Sequence, residues 1–100
     1  MKNSGFQDFV DYLGLEKNYS KHTVTAYLKD LNFFKDFLLE QYETQDFVQV
    51  SYPMIRSWIV ILVEQGKTNR TINRKISSLK AYFKFLLKTH QIEIDPMVKH

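Results

Sequence analysis

Basic residues are concentrated in one stretch of this 100-residue chain, residues 66–90. The stretch contains no acidic residue and seven basic ones: Lys67, Arg70, Arg74, Lys75, Lys80, Lys84 and Lys88. The rest of the chain has seven basic and eleven acidic residues, so the net charge of +3 combines a basic segment with an acidic body. Lysine and arginine neutralise phosphate, so this chemistry favours contact with a nucleic acid. A solvated charged face is the alternative interpretation.

The basic stretch has the periodicity of an amphipathic helix. Apolar residues recur at steps of three and four: Ile72, Ile76, Leu79, Phe83 and Leu86. The opposite side reads Arg70, Arg74, Ser77, Ala81, Lys84 and Lys88. An α-helix fits the DNA major groove, and small residues in a basic row permit close approach. Because no acidic residue in the stretch neutralises these basic side chains, we expect them to contact DNA. In that contact we expect Arg74 to read a base edge and Arg70 and Lys84 to hold the backbone.

The residues that commonly carry catalysis or bind metals form no site in this sequence. The absence of cysteine excludes disulfides, thiolate metal sites and a cysteine nucleophile. His22, His90 and His100 are scattered, without the spacing of a metal motif. The six tyrosines lie mostly on or beside predicted core stripes. We therefore expect no catalytic residue, no metal and no cofactor.

Hydrophobic periodicity predicts four helices and no β-sheet. Three Gly and two Pro are too few for a turn-rich β domain. The predicted helices span about residues 4–17, 20–42, 52–65 and 69–90. One hundred residues suit a single all-α domain, here residues 1–91. Pro96 disfavours helix at Asp95, so residues 92–100 are predicted to be a linker without a packing element.

Helix ends have recognisable residues. Ser4 and Gln7 have the spacing of a capping box at the first helix, and Ser20 is the predicted N-cap of the second. Asn18 and Gly66 tolerate the left-handed conformation that ends a helix.

The third helix is apolar nearly all round because of residues 58–63. Ordinary burial is the preferred interpretation, and contact with another domain or subunit is the alternative. This apolar run is too short to cross a bilayer, and the N-terminus lacks a signal-peptide core. We expect a cytoplasmic protein that does not bind membranes.

Two motifs resemble those of a known family. Residues 20–31, SKHTVTAYLKDL, resemble the S-x-x-T-x-x-x-Y-x-x-D-L pattern of the core-binding domain of tyrosine recombinases and phage integrases. Residues 71–86, TINRKISSLKAYFKFL, resemble the family's T-I-x-R-x-L-S-x-L-R-x-F-Y-x-F-L helix. Ile94-Asp95-Pro96 is similar to the start of the family's linker, with Asp95 in place of Asn. The bacterial XerC/XerD branch is most similar, although phage and transposon integrases share the domain.

The resemblance implies a four-helix, SAM-like bundle of two crossed helical hairpins, forming half of a clamp on double-stranded DNA. It implies that the second and fourth helices grip one recombination half-site. By position, the implied contacts are Lys21, His22, Thr23, Thr25, Lys29, Thr68, Asn69, Arg70, Asn73, Arg74, Ser77, Lys80 and Lys84. The family's catalytic residues belong to a second domain, so this chain is expected to bind DNA without cutting it. It is expected to be monomeric alone, and the full-length protein to meet partner recombinase subunits on DNA.

Two other function classes stay open. A helical protein-interaction module would use the basic face for an acidic partner or leave it solvated. A small transcription regulator would read DNA through a compact helix-turn-helix, which the long loop at residues 43–50 fits poorly.

Overall fold

The computed structural model describes residues 6–98, and this part of the chain contains helices and no strand. In chain order the elements are α1 (Gln7–Asp11), a π-helical segment (Tyr12–Glu16), α2 (Lys21–Tyr42), a 3-10 turn (Phe47–Gln49), α3 (Tyr52–Glu64) and α4 (Asn69–Lys88). The prediction of an all-α fold with four helices is confirmed. None of the helices in these residues is both long and apolar enough to span a membrane.

Local side chains begin and end the helices as their chemistry requires. The Ser20 hydroxyl accepts a hydrogen bond from the Thr23 N–H at 3.2 Å, which satisfies one of the free donors at the start of α2. Asn18 and Gly66 adopt left-handed backbone angles, with φ of 55° and 80°. Ser51 precedes α3 but makes no side-chain capping bond. The predicted helix ends at Ser20, Asn18 and Gly66 therefore follow from local sequence.

The first helix differs from a regular α-helix. Its last turn widens into the π-helical segment, where Leu13 is buried and Leu15 is exposed. Ser4 of the predicted capping box lies outside the described residues. The Gln7 side-chain amide donates to the Asp11 carboxylate at 3.1 Å.

The core lies between α4 and the other helices. The predicted apolar stripe of α4 is buried throughout: Ile72, Ile76, Leu79, Phe83 and Leu86. α4 packs against α2 and α3, and α2 contributes Leu31, Phe34 and Leu38 to the same core. The 3-10 turn adds the Phe47 ring, which lies 4.9 Å from the ring of Tyr82 between centroids. Because one side of α4 is buried in this way, its opposite side faces solvent.

Two expectations about packing are wrong. Val60 and Val63 of α3 are 48% and 60% exposed, so α3 is not buried all round. The expectation that residues 92–100 lack a packing element fails at Met97, which is buried in the core cluster. The Met97 N–H donates to the Asp95 carboxylate at 2.8 Å, which turns the chain so that the methionine side chain points back to the core.

Candidate nucleic-acid interface

The outer face of α4 is where most of the basic segment reaches solvent. No acidic residue lies within Asn69–Lys88. Eight of the implied contacts lie at the start of α4 or along it. All eight are exposed: Thr68, Asn69, Arg70, Asn73, Arg74, Ser77, Lys80 and Lys84. The buried stripe on the other side of the helix prevents α4 from turning this face inward. The result is a basic surface with small and polar residues between the charges, which suits an anionic partner.

The beginning of α2 supplies a second group of exposed side chains. These are Lys21, His22, Thr25 and Lys29. α2 also packs against α4. The two predicted contact helices therefore pack directly against each other.

Two of the implied contact threonines also hold helix ends. Thr23 is half-buried, and its hydroxyl lies 3.1 Å from that of Ser20, beside the backbone cap at the start of α2. Thr68 is the N-cap of α4: its hydroxyl accepts from the Thr71 N–H at 3.2 Å and donates to the Thr71 hydroxyl at 3.1 Å. Capping accounts for Thr68 without any ligand, and the hydroxyl of Thr23 contacts that of the capping residue Ser20.

A groove of about 570 Å³ lies beside the middle of α4. Ser77, Lys80 and Lys84 line it together with Lys17 and Tyr27. The fold therefore brings three of the implied contacts to one cavity with a lysine that sequence reasoning missed. A lysine near a helix end is ordinary, so nothing in the sequence distinguished Lys17.

A buried carboxylate joins α2 to α4. The side chain of Asp30 is fully buried and accepts two hydrogen bonds from Arg74, from Nε at 3.0 Å and from Nη2 at 2.8 Å. Lys75 Nζ donates to Asp30 at 3.1 Å, and the Ser78 hydroxyl donates at 2.9 Å. The Lys75 ammonium also lies 4.8 Å from the centre of the Phe33 ring. We call Asp30, Arg74, Lys75 and Ser78 the Asp30 cluster.

Hydrogen bonds keep this carboxylate ionised. Burial by itself raises the pKa of Asp30, but the bonds from Arg74, Lys75 and Ser78 outweigh burial, and the pKa lies below its ordinary value. Hydrogen bonding to Asp30 raises the pKa of Arg74. The cluster therefore joins one ionised carboxylate to two basic side chains, Arg74 and Lys75.

This cluster corrects the expectation that no acidic residue neutralises Arg74. Asp30 lies on another helix, 44 positions away in the sequence, so inspection of residues 66–90 could not reveal the pairing. Lys75, one of the seven basic residues of that stretch, is buried, with only 7% of its side chain exposed. Lys75 therefore adds no exposed charge to the outer face of α4, and the predicted contact set does not include it.

Metal chemistry has no support in the described part of the chain. Within residues 6–98, no group of three or more His, Cys, Asp or Glu side chains could hold a metal ion. What the site offers is a cationic surface of lysine, arginine and amide groups.

The phage integrase, N-terminal SAM-like domain family matches residues 6–90. The chain belongs to this family. In this SAM-like domain, the two motifs that suggested the relationship are the beginning of α2 and most of α4. The Asp of the first motif and the Arg of the second are Asp30 and Arg74, the two residues joined by the bidentate ion pair.

Curated relatives of this SAM-like domain are tyrosine recombinases. The chain is 39% identical over 90 residues to the tyrosine recombinase XerC of Bacillus licheniformis, a match covering 90% of this chain and 29% of the relative. It is 41% identical over 88 residues to the XerC of Listeria innocua, covering 88% and 29%. The match to the XerC of Bacillus subtilis is 38% identical over 88 residues, again covering 88% and 29%. The chain thus spans less than a third of the length of these relatives. No solved structure matches it significantly.

Proposed function

We propose that this chain is the DNA-binding core-binding domain of a XerC-type site-specific tyrosine recombinase, gripping one recombination half-site on double-stranded DNA. The observation that carries the proposal is the outer face of α4, where Arg70, Lys80 and Lys84 are exposed and the helix has no acidic residue. The relatives named tyrosine recombinase XerC support it.

In this proposal the middle of α4 faces the DNA and the start of α2 holds the flanking backbone. The small Ser77 side chain lies between the charges and lets α4 approach the duplex closely. Exposed Lys21 and Lys29 lie on the first half of α2. The second half of that helix carries Asp36 and Glu40, which repel phosphate.

The strand cleavage and rejoining of a tyrosine recombinase would be carried by residues outside this chain. We propose that this domain binds DNA and does not cut it, is monomeric alone and needs no cofactor. Partner recombinase subunits would meet it only on DNA. Such a protein acts in the cytoplasm, where the chromosome of bacteria such as the named relatives lies.

A gel-shift titration with duplex DNA at several salt concentrations tests the proposal. We expect binding that weakens steeply with salt, because phosphate contacts release counterions. Arg70→Ala should weaken binding and lower the salt slope by about one unit. Arg56→Ala is the matched control, since Arg56 is an exposed arginine on α3 outside the predicted contact set. Equal affinities for the two variants and wild type would show that the α4 face is only solvated.

The same assay separates the proposal from the protein-interaction module. A domain that uses its surface only for protein contacts would give no shifted duplex at low salt. A suicide duplex tests the absence of cutting, because a covalent protein–DNA adduct formed by this chain would contradict a purely binding role.

A further inference from the structure

The Asp30 cluster has one more positive charge than negative. Arg74 and Lys75 are its two cations, and within residues 6–98 Asp30 is the only acidic group that lies within 4.0 Å of either. Lys75 is almost fully buried, so water does little to screen its charge. The cluster is therefore short of one anion, and its only open side is the Arg74 side chain.

Asp30 occupies one edge of the Arg74 guanidinium and leaves another edge free. Nε and Nη2 donate to Asp30, and within the described residues no acceptor pairs with Nη1. The side chain is 47% exposed on the same face of α4 as Arg70 and Ser77. A guanidinium has five N–H donors in a rigid plane, so fixing one edge also fixes the direction of the remaining donors.

The carboxylate that holds Arg74 is itself held by two further donors. Lys75 Nζ donates to the same oxygen as Arg74 Nη2, and the Ser78 hydroxyl donates to the other oxygen. Ser78 also bonds to the backbone carbonyl of Arg74 at 3.1 Å. The guanidinium therefore has one supported position before any ligand arrives.

We propose that Arg74 binds one phosphate of the DNA backbone through its outward edge, with Asp30 as the positioning residue and Lys75 as the buried counter-charge. The inference rests on the proposed function, because it needs DNA at the α4 face. Asp30 by itself would cancel the attraction of Arg74 for phosphate. Lys75 restores it, so the cluster gains rigidity without losing positive charge. A phosphate then supplies the missing anion.

A guanine edge is the other acceptor that a fixed guanidinium can meet. The surplus positive charge favours phosphate, because a base edge carries no net charge to balance it. The sequence-based expectation that Arg74 reads a base is replaced by this proposal.

The test compares conservative variants by titration against duplexes of unrelated sequence, with circular dichroism to verify folding. Arg74→Lys keeps the charge but loses the two-edged geometry, and we expect binding about tenfold weaker on every duplex. Arg56→Lys is the matched control, since Arg56 is an exposed arginine on α3 outside the predicted contact set, and the affinity of this variant should change less than about threefold. Arg74→Ala should also lower the salt slope by about one unit.

A double variant isolates the role of Asp30. Asp30→Asn with Lys75→Met leaves the net charge unchanged and keeps a buried stem, so it removes the ionic support of Arg74 and the buried counter-charge together. We expect weaker binding with an unchanged fold. Tighter or equal binding by this variant, or Arg74→Lys matching Arg56→Lys, would overturn the inference while leaving the proposed function intact. If the affinity lost by the Arg74 variants depended on the base pair at one position of the duplex, Arg74 would be assigned to guanine. That result would overturn the phosphate assignment. A wild-type chain that binds no duplex would overturn the proposed function, and this inference with it.

Discussion

α4 is held on two sides by contacts of different kinds. Toward the N-terminal helix and the 3-10 turn it packs through rings, with the Tyr82 centroid 5.0 Å from Phe9 and 4.9 Å from Phe47. Toward α2 it is held by the ion pair of Arg74 with Asp30, at 2.8 and 3.0 Å. Apolar packing stabilises in proportion to buried area and tolerates small rotations, whereas a bidentate pair fits one orientation. We infer that the aromatic side supplies much of the stability and the ionic side fixes the direction of the basic face.

The sharpest test of this comparison is removal of the carboxylate. Asp30→Ala should lower the free energy of unfolding by about 3–5 kcal/mol, because it leaves Lys75 buried without an anion. Chemical denaturation measures the change. Replacing Asp30 by Leu and Lys75 by Met together should recover most of the loss, since an apolar pair needs no counter-charge. A loss below about 1 kcal/mol in Asp30→Ala would mean that the cluster contributes little to folding.

Leucine truncations on α2 and α4 probe the apolar core. Leu31→Ala and Leu79→Ala should each lower the free energy of unfolding by about 2–5 kcal/mol, because both side chains are completely buried in the core. The same denaturation experiment applies. A cost under about 0.5 kcal/mol at either position would contradict the observed burial.

Alkaline pH tests the aromatic side separately. Burial, followed by the negative charge of Asp46, raises the pKa of Tyr82 from 10.0 to about 12. The folded state therefore favours the neutral phenol. The contribution of this phenol to the free energy of unfolding is complete below pH 10.0 and is lost as the pH rises through about 12. The full loss is about 2–3 kcal/mol. The free energy of unfolding is measured against pH for wild type and Tyr82→Phe, and the two curves should diverge only above pH 10.0. Curves that stay parallel above that pH would show that the buried phenol does not make stability depend on pH.

The smallest effect is expected at an ion pair on the surface. Lys88 Nζ lies 3.1 Å from the Glu16 carboxylate, but the two side chains are 59% and 60% exposed. Lys88→Ala should change the free energy of unfolding by less than about 1 kcal/mol, because water screens the pair. Added salt should shrink the difference further. A larger change would show that exposure is a poor guide to the strength of ion pairs in this fold.

The sequence predicted what depends on neighbours along the chain. Ser20, Asn18 and Gly66 mark helix ends through their own side chains or backbone freedom, and the apolar stripe of α4 follows from its period. The four helices and the basic face could therefore be predicted from the amino-acid pattern alone. The family resemblance, too, depended on patterns within single helices.

The parts that escaped prediction depend on distant partners. Arg74 and Asp30 are 44 positions apart, and the sequence shows neither their pairing nor the burial of Lys75. Phe47 lies in a segment predicted to be a loop, yet its ring is buried against Tyr82. Periodicity carries no signal for a single side chain inserted from a loop. Of the predicted contacts, the pairing with Asp30 changes the charge environment of Arg74.

The burial of Met97 has a consequence for how a DNA clamp could close. Met97 and Val98 line the groove beside Lys80 and Lys84, so the tail is already ordered next to the proposed DNA face. Ordering a residue costs about 1–2 kcal/mol of conformational entropy, and here that loss occurs when the domain folds. In the proposed recombinase, the chain that continues toward the catalytic half would start from a fixed point at the groove. A shorter free tether would raise the effective concentration of the catalytic domain near DNA that this domain has already bound.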